Sequence, residues 1–349
     1  MEERRRQPLS ESVLMTRIWI NVQPEGLYIR PAAVYVDPVK PVQRAIITHA
    51  HADHARPGHV TVYATPETLA IMACRFGNTF CEQPIAVNLG DTIDLPGNVD
   101  MRLSPAGHIL GSAQVTLTYN NEVATISGDY KRAFDPTCRP FEVQKSDIFI
   151  TEATFALPVF THPSIEDELK RLLQSLKDFP GRCHLLGAYA LGKCQRLMSV
   201  LRRMGYRETI YLHGAQVKLV ELYEQFGIDL GHWRKVSDVE DKASLAGKLV
   251  IAPPSALADR WSRRLPYVMT CLASGWMQIR ARAKQRRVEL PLTISDHADW
   301  PQLVETIREV DPSQLWVTHG REDALVHHAK QQGIDAMALN LLGYDEDAD

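Results

Sequence analysis

No apolar run in this chain approaches the ~20 residues that a membrane span requires, so no membrane association is expected. Cysteine is sparse: there are six, the closest two stand seven apart, and none forms a C-x-x-C pair. A chain of this length does not need disulfide staples, so reduced thiols are expected. There is no basic excess, since 39 Lys+Arg against 42 Asp+Glu leave a net charge of −3. No global field therefore advertises nucleic acid. Internal repeats and low-complexity segments are absent. The start, MEERRRQPLSESVLM, carries charge but no apolar h-region, so it is not read as a secretory signal.

Against these absences stand 45% hydrophobic and 23% charged residues, close to the globular average. At roughly 100–200 residues per domain, the length suggests two domains. A cytoplasmic protein with a sizeable core is expected. What the chain has in surplus is histidine: 13, several of them in short strings.

Short β-rich runs dominate the first third: Arg44 to Thr48, Val99 to Leu103, Gln114 to Tyr119, Glu122 to Ser127 and Asp147 to Thr151. Asn120-Asn121 suggests a hairpin turn, and Pro66 to Phe76 reads as a helix with proline at its start. From Ser164 the texture changes. A serine cap and an acidic first turn open a helix there. Strands at Cys183 to Gly187, Thr209 to Leu212, Lys248 to Ala252 and Tyr267 to Leu272 then alternate with helices at Lys193 to Met204, Val217 to Phe226 and Ser255 to Leu265. That alternation points to a parallel α/β sheet. Strand Val288 to Ile294, helix Pro301 to Val310, strand Gln314 to Thr318 and helix Glu322 to Gln331 follow. The expected organisation is a first domain in two parts, 1–155 and 289–349, interrupted by an inserted unit, 156–288.

The segment richest in chemistry is His49-Ala50-His51-Ala52-Asp53-His54, which follows an apolar strand. Four potential ligands lie within six residues, separated by small alanines. Imidazole and carboxylate together suit zinc, manganese or iron, and the absence of cysteine ligands argues against a structural zinc knuckle. An isolated loop histidine is ordinarily just a satisfied polar residue; four clustered ligands are not. Further ligands are expected at other strand ends. His108 in SPAGHILG, Asp129 after Gly128, and His319 in WVTHGRED each stand where an apolar strand meets a glycine-containing loop.

HAHADH matches the H-x-H-x-D-H motif of the metallo-β-lactamase fold, and His108, Asp129 and Asp37 (in VYVDP) resemble its other ordered motifs. Glu152 in TEATF, His297 in TISDHADW and His319 resemble motifs A, B and C of the β-CASP nucleases. Order and spacing match over about residues 20–330, and the short architecture looks most like the bacterial ligase-associated DNA exonucleases. The resemblance implies an α/β fold: a metallo-β-lactamase αββα sandwich with an inserted α/β β-CASP cap domain. It implies two divalent metal ions, zinc or manganese, with His49, His51 and His108 on one, Asp53, His54 and His319 on the other, and Asp129 between them. Two such ions ~3.5–4 Å apart suit phosphodiester hydrolysis. Asp53 then counts among both ligands and catalytic residues. His297 would act as general acid with Glu152 orienting its ring, and Asp37 would hydrogen-bond a ligand imidazole. The implied partner is nucleic acid, DNA preferred over RNA, with DNA ligase or helicase partners. The implied role is exonucleolytic end processing in DNA repair.

Other readings stay open. Motif C here is His319, whereas the eukaryotic DNA-directed branch departs from histidine, so RNA cleavage is the alternative within the family. A thioester or lactone hydrolase, or an inactive scaffold subunit, are alternatives outside it. The inserted unit argues against the first, and the complete ligand set against the second. Gly187 to Cys194 meets the first seven positions of a P-loop, but Cys194 lacks the hydroxyl that would hold Mg²⁺. Lys193 at that helix start, Lys131 and Arg132 beside Asp129, and Arg280 and Arg282 in a basic run are the expected substrate contacts.

Overall fold

The computed structural model describes residues 19–320 and 322–339; the N-terminal segment read above as lacking an h-region lies outside them. Strands β1 (Ile20–Gln23), β2 (Gly26–Ile29), β3 (Val34–Val36), β4 (Arg44–Ile46), β5 (His59–Ala64) and β6 (Cys81–Ala86) form one sheet in that spatial order. Helix α1 (Pro66–Phe76) joins the last two, its N-terminus capped by Thr65, whose hydroxyl accepts from the Thr68 amide at 3.2 Å. A second sheet begins with β7 (Thr92–Leu95), β8 (Val99–Pro105), β9 (Ala113–Tyr119), β10 (Glu122–Ile126) and β11 (Ile148–Ala153). Asn120 and Asn121 take positive φ of 50° and 65° between β9 and β10, as a type I′ hairpin turn demands.

The chain then leaves for the inserted unit. Helix α2 (Ile165–Asp178) is capped by Ser164. It is followed by β12 (His184–Gly187), α3 (Lys193–Arg203), β13 (Ile210–Leu212), α4 (Gly214–Gln225), β14 (Trp233–Lys235), β15 (Leu249–Ala252), β16 (Met269–Ala273), α5 (Arg280–Gln285) and β17 (Leu290–Leu292). Those six strands form an all-parallel sheet in the order β14-β13-β15-β12-β16-β17. β12 and β15 are buried along their whole length, as expected for a parallel sheet covered on both faces. The sheet runs to Leu292, past the 288 edge drawn from texture, because β17 pairs with β16. The helix expected over Ser255–Leu265 is instead two 3-10 turns, Pro254–Ala258 and Ser262–Arg264. Asp259, at ψ 162°, breaks the path between them.

Helix α6 (Trp300–Val310), β18 (Gln314–Gly320), α7 (Glu322–Gln331) and β19 (Asp335–Ala338) return to the first unit. β18 pairs in parallel with β11 and completes the order β19-β18-β11-β10-β9-β8-β7.

Strand alternation explains the layering. Ile46, Ile148, Ile150 and Trp316 meet in the core between the two sheets. Their neighbours Phe149, Leu315 and Val317 face the opposite way, onto Leu303 and Ile307 of α6 and Leu325 of α7. Ala45 and Ile47 face outward too, into a core shared with α1 and with α2, α3 and α4 of the inserted unit. The result is a helix–sheet–sheet–helix sandwich whose outer face is continuous with the inserted α/β unit. Among the described residues no helix is long and apolar enough to cross a membrane.

Candidate metal centre

β3, β4, β8, β10, β11 and β18 each end close to a polar residue, and the loops that follow them converge. Asp37 follows β3, His49 to His54 follow β4, His108 follows β8, Asp129 follows β10, and Glu152 and His319 lie in the last residues of β11 and β18. Two of these side chains sit on strained backbone, Asp37 at φ 45° and His319 at φ 58°. Non-glycine residues hold such conformations only where their surroundings over-determine them.

His49, His51, His108 and Asp129 form one cluster whose ligand atoms all lie within 4.8 Å of one another. His51 Nδ1 is 3.2 Å from His49 Nε2 and 3.0 Å from His108 Nε2. Asp129 Oδ2 is 3.4 Å from His49 Nε2 and 3.8 Å from His108 Nε2. A tetrahedral zinc with arms of about 2.0–2.1 Å has edges of about 3.3 Å, so three imidazoles and a carboxylate at these separations fit a divalent cation. The far side of each ring is also fixed. His49 Nδ1 faces the Thr48 hydroxyl at 3.1 Å, His51 Nε2 donates to the Leu191 carbonyl at 3.3 Å, and His108 Nδ1 donates to the Asp296 carbonyl at 2.8 Å. Such partners set the tautomer and leave the other nitrogen for the cluster.

A second cluster comprises Asp53, His54 and Asp129. His54 Nε2 is 3.4 Å from Asp129 Oδ1 and 3.6 Å from Asp53 Oδ2. The His319 ring lies beside that of His54, 5.0 Å between centroids. His54 Nδ1 is 2.7 Å from Asp37 Oδ2, and Asp37 also accepts from the Thr48 amide at 2.8 Å and the Thr48 hydroxyl at 2.6 Å. Asp129 therefore gives Oδ2 to one cluster and Oδ1 to the other.

The electrostatics suit cation binding. Burial, reinforced by His49, pushes His51 down to about 4. Burial, reinforced by His54, does the same to His319, also to about 4. Burial and the neighbouring His49, His297 and His51 take His108 well below the usual histidine range. All three offer neutral lone pairs at neutral pH. Burial would raise Asp129, but His54, His297 and His49 hold it well below the usual carboxylate range. Burial would lower His54, yet Asp129 and Asp53 raise it well above its ordinary value.

His297 stands at the edge, with its Nδ1 2.9 Å from Glu152 Oε2 and 3.9 Å from Asp129 Oδ2. Glu152 is itself buried, and its Oε1 accepts from the Tyr130 amide at 2.7 Å. Thr154 Oγ1 lies 3.4 Å from the same His297 nitrogen.

The expected substrate contacts fare differently. Lys131 and Lys193 are each only 1% exposed. Lys131 Nζ pairs with Asp135 at 2.7 Å, and Lys193 Nζ faces Asp296 at 3.7 Å. Neither ammonium is presented to a phosphate backbone, because buried carboxylates hold both inside. Arg132 is half-buried and occupied by Glu309 at 2.7 Å and Thr306 at 3.2 Å. Arg282 lies over the Trp276 ring at 4.0 Å, and Arg280 is exposed. In the near P-loop, Cys194 is buried beside Met198. Sequence reasoning missed Asp296, Arg196 and the Leu191 carbonyl. Asp296 had a signal, an acid directly before His297; a backbone carbonyl and a helical arginine had none.

No family model matches the chain. It is 28% identical, over 90% of its length, to a probable DNA ligase from Opitutus terrae, of which it spans 30%. It is 22% identical, over 53% of its length, to an RNase J-like protein from Methanocaldococcus jannaschii, of which it spans 47%. The chain thus spans less than half of each of these curated relatives. A solved structure from Enterococcus faecalis, a protein of unknown function, shares the fold with a TM-score of 0.52 at 16% identity, covering 78% of this chain and 74% of that one. In sequence the chain is thus similar to proteins of the metallo-β-lactamase/β-CASP kind, a ligase-like and an RNase J-like one among them, and in fold to that solved structure.

Proposed function

We propose that this chain is a metal-dependent nuclease that hydrolyses phosphodiester bonds, with DNA ends as its preferred substrate and exonucleolytic end processing in DNA repair as its role. The observation that carries the reading is Asp129, one carboxylate with an oxygen in each of two adjoining clusters of buried imidazole and carboxylate. His49, His51, His108 and Asp129 would hold one divalent ion, and Asp53, His54, His319 and Asp129 a second. When bound, zinc or manganese ions would supply Lewis acidity, neutralising phosphoryl oxygens and acidifying water at neutral pH. The protein's own part is orientation and proton movement. Asp37 and the Leu191 and Asp296 carbonyls keep the imidazoles turned toward the clusters. Glu152 accepts a hydrogen bond from the Nδ1–H of His297, which leaves the Nε2–H of the imidazolium to hand a proton to the departing oxygen. The Glu152 carboxylate also stabilises the imidazolium that precedes that transfer.

The DNA preference rests on similarity to the ligase-like relative, a protein more than three times the length spanned here, and DNA ligase or helicase partners rest on the same likeness. RNA cleavage is the second reading, favoured by His319 at motif C and by the RNase J-like relative. One experiment separates them: labelled single- and double-stranded DNA and RNA, each end blocked in turn, across a zinc and manganese series. DNA hydrolysis that stops when an end is blocked is expected. Preference for RNA overturns the substrate while leaving the chemistry. His51→Ala and Asp129→Ala should lose both bound metal, measured by elemental analysis, and hydrolysis. Full activity in either overturns the metal mechanism.

A further inference from the structure

Beside the two clusters lies a buried group of charges that the proposed reaction does not use: Lys131, Lys193 and Arg196 against Asp135 and Asp296, all under 6% exposed. Arg196, on α3, belongs to the inserted unit, whereas its partners belong to the first. Its Nη1 donates to the Ser295 carbonyl at 2.6 Å and to Asp296 Oδ1 at 3.0 Å, and its Nε is 3.5 Å from Asp135 Oδ2.

Both ends of this group grip His108. The Asp296 carbonyl accepts from the His108 ring at 2.8 Å. At the other end Asp135 holds Lys131, whose ammonium donates to the His108 carbonyl at 3.3 Å. Segment 295–297 also governs His297, since the Ser295 hydroxyl accepts from the His297 amide at 2.9 Å. A buried guanidinium reaching a carbonyl and two carboxylates from one stem fixes geometry in a way that a single ammonium cannot.

We propose that Arg196 is a positioning residue by which the inserted unit sets the rings of His108 and His297, acting through Ser295 and Asp296. This rests on reading His108 as a metal ligand. Removing the guanidinium leaves Asp135 and Asp296 buried with one cation fewer, so segment 295–297 must move to rehydrate or re-pair them. The His108 Nδ1 acceptor moves with it. Ligand-orienting partners of this kind typically change metal affinity by about 10–100-fold.

The test uses Co²⁺ alone as probe, titrated into metal-free full chain and followed by its visible absorption, beside circular dichroism and steady-state hydrolysis of nucleic acid. In Arg196→Gln, a 10–100-fold weaker Co²⁺ affinity, an altered band and a lower kcat at little-changed KM are expected, with native dichroism. Arg196→Lys should restore part of the affinity. An unchanged band and affinity in a folded Arg196→Gln protein overturns the inference. If that variant fails to fold, Arg196→Lys and Asp296→Asn decide, with an altered band supporting positioning and wild-type bands in both overturning it. The underlying metal reading fails separately, and recognisably: the unaltered chain would then bind no Co²⁺, or His108→Ala would bind it as well as the parent does.

Discussion

His297 and His59 are both largely enclosed imidazoles, but of the two His297 has a carboxylate within hydrogen-bond distance, Glu152 at 2.9 Å. His297 stands outside the two clusters proposed to hold metal and groups instead with Asp129 and Glu152, and its proposed work is proton transfer. His297→Ala should keep the full metal content, read by elemental analysis, while hydrolysis falls by about 10²–10⁴-fold. Loss of metal in that variant would make His297 a ligand instead. His59 begins β5, and its Nδ1 accepts from the Val42 amide. Burial pushes it down to about 4. An unfolded chain holds a histidine near its ordinary value of about 6.5 and so binds more protons than the folded one between the two. Stability is therefore undiminished above pH ~6.5 and falls as the pH drops toward ~4, by up to about 3 kcal/mol from this residue. Denaturant midpoints at pH 7 and 4.5 should draw closer together in His59→Gln. An unchanged difference would assign the acid sensitivity to other groups.

At the scale of elements, every expected ligand stands at a strand end, and glycines let the following turns close. Gly107, at φ +73°, is one such case: a Cβ there would lie 2.3 Å from the Lys131 carbonyl oxygen and 2.9 Å from the Phe141 amide. Backbone cannot yield as a side-chain tip can. Gly107→Ala should displace the loop that carries His108, lowering stability by about 1–3 kcal/mol and weakening metal binding with it. A variant with unchanged melting and metal affinity would mean that the loop tolerates the shift. What could be read from the sequence follows the same division. The helix at Pro66–Phe76, the Ser164 cap and the paired asparagines were readable because cap and turn chemistry is local. HAHADH was readable because its donors are contiguous. β1, β2 and β3 are three or four residues long amid turns, too short for periodicity to register. Ser255–Leu265 has helix-forming residues, but Asp259 turns extended between two 3-10 turns packed under the parallel sheet. Arg196 lay beyond reach for another reason, since its partners are 61 and 100 residues away.

For the molecule as a whole, a net charge of −3 does not exclude an anionic polymer, because charge at the proposed site is set locally. Four carboxylates, Asp37, Asp53, Asp129 and Glu152, surround the clusters, and divalent cations would reverse that local sign where a phosphate must sit. Elsewhere the protein has few cations to offer near this centre. Lys131, Lys193 and Arg196 are buried in ion pairs, and Arg132 is tied to Glu305 and Glu309. One run of exposed positive charge on the inserted unit lies instead on and just after α5, at Arg280, Lys284, Arg286 and Arg287. A strand tracked by so few side chains neutralises few phosphates, so the salt dependence of binding should be shallow. With about three phosphates neutralised on duplex DNA, log K would fall with log salt at a slope of roughly −3. Replacing Arg280 and Arg286 together by alanine should raise KM several-fold at low salt and much less at high salt, with kcat unchanged. Counterion release predicts that convergence, because salt weakens the same contacts that the substitutions remove. A salt-independent rise in KM would point to a shape change in α5, and no rise at all would mean that the polymer takes another route to the metals.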